Sequence, residues 1–269
     1  MIDAKSVWNT PSVDLPYLRR VDLDSLSLRC KTAYYLMTSV GKPHKVIVWL
    51  HGGGGNYREM LRLVSRVYMK EMIRVKKRGE SVMVIFPYCI PDLLWMNTRQ
   101  PEWRVEDYVA IEVIKNVREQ FKIESNTSWE IHGYSMGGYG ALRIGMKMSH
   151  IFSRVLTMGA GPLGESFNEH SKGDIGIRKE IYRKVFGSNE HIMKRASPLS
   201  ICKEMHESMC ANQQSYRIVV GSEDGALSHS EHLTKRMSQL GVNTRLEVVP
   251  GLEHRLDKYL EYLGESILD

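Results

Sequence analysis

The sequence predicts an α/β fold: a mostly parallel central sheet with helices on both faces and antiparallel strands on its N-terminal side. Three observations carry this. Continuous apolar runs recur at Lys45–Leu50, Ser81–Phe86, Ile151–Met158 and Tyr216–Val220, as expected of strands buried on both faces. Between them, apolar residues recur at helical spacing. Ahead of them, Leu26–Met37 alternates and is rich in strand formers, the pattern of one or two antiparallel edge strands.

Taken in order, the first twenty residues read as irregular, since Pro11 and Pro16 block regular structure. Gly41-Lys42-Pro43 turns the chain into the buried strand at 45–50, and four glycines, Gly52 to Gly55, follow it. Met60, Leu63, Val64 and Val67 mark one face of a helix. After the strand at 81–86, the segment from Pro87 to Trp103 holds three prolines and two tryptophans and reads as a long ordered loop. Such loops at strand ends usually line sites. Ala110, Val113, Ile114, Val117 and Phe121 trace a helical stripe, and Ser128–His132 brings extended chain into a tight turn.

From Gly159 to about Glu207 the chain is more polar and irregular, with a short helical patch at Ile177 to Phe186. We read this as an excursion over the site within one domain spanning 1–269. The sheet resumes at Tyr216–Val220, a helix over roughly His229–Leu240 ends at Gly241, and Asn243–Val249 is the last strand. Leu256, Tyr259, Leu260, Leu263 and Ile267 give a final amphipathic helix.

Composition narrows the function classes. With 269 residues, 42% hydrophobic and 25% charged, the chain can bury a sizeable core. The net charge is +6, but the cations are scattered, and the densest cluster, Arg74 to Arg78, reads as a solvated helix end. No nucleic-acid partner is expected. Four cysteines, Cys30, Cys89, Cys202 and Cys210, lack disulfide or metal spacing. No apolar run approaches a membrane span, and Asp3, Lys5 and Trp8 stand where a signal peptide needs an apolar stretch. The expectation is a cytoplasmic protein without a membrane partner.

The chain is organised around Ile131 to Ala141, which reads as strand end, turn and helix. Ser135 lies between Gly133 and Gly137 in the G-x-S-x-G pattern, which lifts a serine hydroxyl above a sheet at the positive end of the following helix. A serine needs a base, and the base needs a group to hold its tautomer. The strand at 216–220 leads into Gly221-Ser222-Glu223-Asp224, and the strand at 243–249 leads into Pro250-Gly251-Leu252-Glu253-His254. Asp224 is the candidate acid, with Glu223 as its competitor, and His254 is the candidate base. His51 and His132 suit packing or supporting hydrogen bonds, and His229 and His232 read as surface residues with no metal set around them. The Gly52–Gly55 run leaves backbone N–H groups free at a strand end, as an oxyanion hole requires.

These motifs resemble the esterase D family of α/β-hydrolases, which includes S-formylglutathione hydrolases, tributyrin and feruloyl esterases and mycolyltransferases. The resemblance runs from about Ser25 to the C-terminus. It rests on Gly133 to Ala141, Trp49 to Asn56, Val185 to Ser188 with Ser197 to Leu199, and Gly221 to Asp224. It implies an α/β-hydrolase fold with Ser135 as nucleophile, Asp224 as acid and His254 as base. It further implies oxyanion donors at the Met136 and Gly53 N–H groups, and substrate contacts from Trp95, Asn97 and Gly54. One departure is that Leu252 and Glu253 separate Gly251 from His254, where relatives often have Gly-Gly-His. The implied activity is hydrolysis of carboxylic esters with short or aromatic acyl groups through an acyl-enzyme, without cofactor or metal. Acyl transfer by the same residues, and a non-catalytic scaffold keeping the fold, are the alternatives.

Overall fold

The computed structural model describes residues 8–98, 102–165, 185–187 and 189–269. Eight strands form one sheet: β1 (Arg19–Ser25), β2 (Cys30–Thr38), β3 (Lys45–Leu50), β4 (Val82–Pro87), β5 (Ser128–Tyr134), β6 (Phe152–Met158), β7 (Ser215–Gly221) and β8 (Asn243–Val249). Their spatial order is β1-β2-β4-β3-β5-β6-β7-β8. The pairs β1–β2 and β2–β4 are antiparallel, and every later pair is parallel. The expected α/β architecture with antiparallel N-terminal strands is therefore present. It begins earlier than Leu26, because Val21 and Ser25 of β1 point inward from an otherwise polar edge strand. Leu26, 88% exposed, sits instead in the turn between β1 and β2.

The helices are α1 (Tyr57–Lys76), α2 (Val105–Asp107), α3 (Ile114–Phe121), α4 (Met136–Lys147), α5 (Glu190–Ala196), α6 (Pro198–Ala211), α7 (Leu227–Gln239) and α8 (Leu256–Leu263). A turn of wider π-helix, Tyr108–Val113, joins α2 to α3. Asn56 caps α1 by accepting from the Arg58 N–H. The buried face of α1 runs through Tyr57, Leu61, Val64, Tyr68, Met72 and Val75. Of the predicted stripe, Val64 lies on that buried face, while Met60, Leu63 and Val67 flank it, partly buried against the same core.

The central strands separate two cores, which explains their unbroken apolar runs. On β3, Val46, Val48 and Leu50 face one core with α3, α4 and α6, while Ile47 and Trp49 face the other with α1 and α8. Tyr259 and Leu260 of α8 complete that second core.

One expectation is corrected here. The segment ending at Glu207 is not irregular throughout. α5 and α6 occupy 190–211, and Leu199, Ile201, Cys202 and Met209 of α6 are buried in the first core. Their polar outer faces masked the periodicity. The patch at 177–186 lies outside the described residues except for Val185 and Phe186. The basic cluster at the end of α1 is exposed at Lys76, Lys77 and Arg78, as expected, while its first residue, Arg74, pairs with Glu71 at 2.7 Å and with Asp269 at 3.1 Å, tying α1 to the C-terminus.

Candidate active site

The turn at Ser135 follows directly from close packing. β5 ends at Tyr134, Ser135 adopts φ +54° and ψ −118°, and α4 begins at Met136. A non-glycine residue at positive φ is strained and persists only when its surroundings dictate it. Here the Ser135 N–H donates to Met158 O at 2.9 Å, and its carbonyl accepts from Tyr139 N at 3.0 Å and Gly161 N at 3.2 Å. The flanking glycines are steric requirements. A Cβ at Gly133 would run into the Gly137 carbonyl, and one at Gly137 into the carbonyl of Leu50 at the end of β3.

Ser135 Oγ lies 2.9 Å from His254 Nε2, and His254 Nδ1 lies 2.6 Å from Asp224 Oδ2. The carboxylate can only accept, so Nδ1 carries the proton and Nε2 offers its lone pair to the serine hydroxyl. Asp224 Oδ1 accepts from the Ala226 N–H at 2.9 Å. Burial alone would raise the Asp224 carboxyl. The hydrogen bond and charge of His254, together with Tyr259 and the Ala226 N–H, outweigh burial and hold it below the ordinary carboxylate range. It is Asp224, not the exposed Glu223, that meets His254; Glu223 contributes its backbone N–H to Leu252 O at 3.1 Å.

That last bond accounts for the departure before the histidine. Leu252 is buried in the second core, and its carbonyl holds the loop bearing Asp224. Leu252, one of the two extra residues, thus anchors the histidine loop to the loop of Asp224. Close packing continues at the end of β6, where Gly159 has φ +52°. A Cβ there would lie 2.7 Å from Asp224 Oδ2 and 3.0 Å from His254 Nδ1.

The glycine loop is held from below. Buried His51 lies with Nδ1 2.9 Å from Gly52 O, and its Nε2 accepts from Cys89 N at 3.0 Å, a single neutral tautomer. Burial lowers this imidazole to about 4 despite those hydrogen bonds. Gly53 is exposed, and a Cβ built on it would stand 3.5 Å from Met136 Cβ. The two N–H groups expected to act as oxyanion donors therefore belong to adjacent residues, and neither has a backbone partner among the described residues. Gly54 is exposed at φ +72° with open space around it.

Trp95 does not occupy the position expected of a substrate contact. It is fully buried, with φ +56°, and its Nε1–H donates to His51 O at 3.0 Å. Its ring packs on α4 at Gly140, so it supports the glycine loop from inside. Asn97 is exposed, and its Oδ1 accepts from the Glu106 N–H at 2.8 Å, capping the start of α2.

Two residues at the site, Tyr134 and Tyr259, and one further along α4, Arg143, were not singled out as functional from the sequence. The Tyr134 ring stacks on His254 with centroids 5.1 Å apart and 28° between planes, and its hydroxyl donates to His254 O at 3.1 Å. The Tyr259 hydroxyl donates to Asp224 Oδ2 at 2.6 Å. Arg143, buried on α4, pairs with Glu106 and donates to Ala196 O at the end of α5; Glu106 also meets Lys147 at 2.7 Å. The available signals were a tyrosine inside the elbow, a tyrosine in an otherwise apolar stripe, and an arginine in a helix of small residues.

Comparison with known proteins identifies the family and the fold. The Esterase family model matches residues 25–259. Three solved structures share the fold. A ferulic acid esterase has TM-score 0.71 and 20% identity over 93% of this chain and 96% of its own. The fluorophosphonate-binding serine hydrolase FphF of Staphylococcus aureus has TM-score 0.73 and 16% identity over 93% and 96%. An S-formylglutathione hydrolase from Agrobacterium tumefaciens has TM-score 0.70 and 15% identity over 97% of each chain. No curated protein matches the sequence.

The fold is that of the α/β-hydrolases, and its class is that of the esterases. Within that class, the chain belongs to the Esterase family, as its motifs imply.

Proposed function

We propose that the protein is a carboxylesterase that cleaves esters of short-chain or aromatic acids through an acyl-enzyme at Ser135. The observation that carries this reading is the unbroken chain Asp224–His254–Ser135, with bonds of 2.6 and 2.9 Å, assembled at the C-terminal ends of β7, β8 and β5.

In this reading the Ser135 hydroxyl attacks the ester carbonyl while His254 Nε2 takes its proton. Asp224 holds the Nδ1 proton and stabilises the imidazolium that forms. The N–H groups of Met136 and Gly53 face the developing oxyanion, each worth about 3 kcal/mol at the transition state. Protonated His254 then gives its proton to the leaving alkoxide. Water, deprotonated by the same imidazole, releases the acid and restores Ser135. Every step uses the chain's own residues, and no cofactor or metal is invoked.

Gly54 is the substrate contact we retain from the glycine loop, and Asn97 stands as a candidate at the rim. Among the described residues no helix is long and apolar enough to cross a membrane, and we place the enzyme in the cytoplasm with a small-molecule ester as its partner.

The test is hydrolysis of p-nitrophenyl esters from acetate to octanoate, with a ferulate ester alongside, by wild type and Ser135→Ala. Turnover of a short or aromatic ester, lost by several orders of magnitude in the variant, is expected. Release of p-nitrophenol that depends on an added alcohol acceptor would favour acyl transfer instead. No turnover of any ester would count against the reading.

A further inference from the structure

The acid of the site has a partner that no motif announces. Tyr259, fully buried on α8, accepts from the Gly221 N–H at 2.9 Å and donates to Asp224 Oδ2 at 2.6 Å. The directions are fixed, since an amide N–H can only donate and a carboxylate only accept. Burial first, then the Asp224 hydrogen bond and charge, push the phenol well above its ordinary range, so it keeps its proton. Oδ2 is also the oxygen that accepts from His254 Nδ1 at 2.6 Å, whereas Oδ1 serves Ala226. Imidazole and phenol therefore share one oxygen.

We propose that Tyr259 is a positioning residue for ester hydrolysis: its hydroxyl locks the Asp224 side chain and draws charge from the oxygen that orients His254, thereby setting the pH at which the base becomes available. The proposal rests on the esterase reading above. Its physical content is competition for one acceptor. With the phenol present, the charge on Oδ2 is divided between two donors. Without it, the same charge falls on the imidazolium alone, the protonated base is held more tightly, and the enzyme needs a higher pH to shed that proton.

The other groups around the pair leave this role to Tyr259. From β5, Tyr134 offers its ring face to the imidazole and its hydroxyl to the His254 backbone, and Ser135 faces Nε2. From the end of β6, Gly159 brings no side chain. Beside His254, Glu253 is exposed, and Arg255 is paired with Asp257 of α8 at 2.7 Å. The Tyr134 ring also lies 5.9 Å from that of Tyr259, so two tyrosines brace the base and the acid from adjoining positions. Among the described residues, Tyr259 is the one side chain besides His254 that bonds Asp224 Oδ2.

The experiment measures kcat/KM against pH for p-nitrophenyl acetate with wild type, Tyr259→Phe and Tyr134→Phe, each checked by thermal melting. Tyr259→Phe is expected to move the acid limb up by about half to one pH unit. Its kcat should fall about tenfold with KM held within about twofold. Tyr134→Phe removes the anchor of the histidine loop and should lower kcat while leaving the acid limb in place. Site-specific 3-fluorotyrosine at position 259 keeps the fold and the Gly221 bond but is a stronger donor, so it should move the limb down. A packing role alone predicts no such graded response.

The His254 ring-proton titration, read by NMR without substrate, separates the two claims. If wild type hydrolyses no ester but the midpoint still moves with Tyr259→Phe and with fluorotyrosine in opposite directions, the role of Tyr259 stands and the esterase reading falls. If both limb and midpoint stay where they are in folded variants, the proposal is overturned.

Discussion

Trp95 rests on Gly140: a Cβ built on that glycine would fall 2.6 Å from Trp95 Cβ and 2.8 Å from its Cγ, in the helix that follows Ser135. The same indole donates to His51 O, at the head of the glycine loop. A contact inside the first core thus sets the height of the expected oxyanion donors. Gly140→Ala should push Trp95 out of place, costing about 1–3 kcal/mol of stability for overpacking. It should also lower kcat more than it raises KM, because the loop moves away from the developing charge. Melting curves and steady-state kinetics on one short ester check both effects.

The buried histidines make acid stability a specific prediction. His51 and His132 are each lowered from 6.5 to about 4, chiefly by burial. His132 Nε2 lies 2.9 Å from Glu130 Oε2, and its Nδ1 lies 2.6 Å from the Tyr68 hydroxyl. The native state refuses protons that the unfolded chain accepts below 6.5. The stability linked to these groups is therefore complete above about pH 6.5 and is lost as the pH falls toward about 4. Glu130 adds a second window. Burial raises it, but His132, Lys45 and Arg154 hold it at about 2, so its contribution is lost as the pH falls from 4.5 toward 2. Tm measured from pH 7 to 4 should drop steadily, and His132→Gln should flatten part of that slope. A Tm constant over this range would contradict the linkage.

Arg143 offers a third test. It is buried, joins Glu106 on α2 to the Ala196 carbonyl at the end of α5, and stacks its charge 5.4 Å from the Tyr139 ring centroid. Arg143→Leu leaves Glu106 buried with Lys147 as its remaining cation, and should cost about 3 kcal/mol. Arg143→Leu with Glu106→Gln should recover part of that loss. Denaturant unfolding of the two variants supplies the comparison. Equal losses would mean that the pair contributes through packing alone.

The contrast between these residues and the elbow explains what the sequence could convey. Strands buried on both faces leave continuous apolar runs, so β3, β4, β6 and β7 could be placed to within a residue at each end. Ser135, Asp224 and His254 could be singled out because each follows a predicted strand in the order serine, acid, histidine, and because glycines must flank the serine where Gly137 meets the Leu50 carbonyl. α6 could not be, since its inward face is short and its outward residues are polar. β1 was hidden by its charged edge.

Trp95 shows a different limit. A tryptophan in a strand-end loop has the composition of a pocket wall, and only the positive φ of Leu94 and Trp95 turns it inward. No spacing rule encodes that turn. Tyr259 is the converse case: its apolar ring placed it correctly in the α8 stripe, but its hydroxyl could be paired with Asp224 only after the chain had folded.

The central claim is that Ser135 is a nucleophile activated by His254. It is tested most directly by treating the folded protein with a fluorophosphonate and locating the adduct by intact mass and peptide mapping. The account predicts one adduct, on Ser135, absent from Ser135→Ala and formed at least about a hundredfold more slowly in His254→Ala. An adduct that persists in Ser135→Ala, or a wild-type protein that resists the probe altogether, would contradict it.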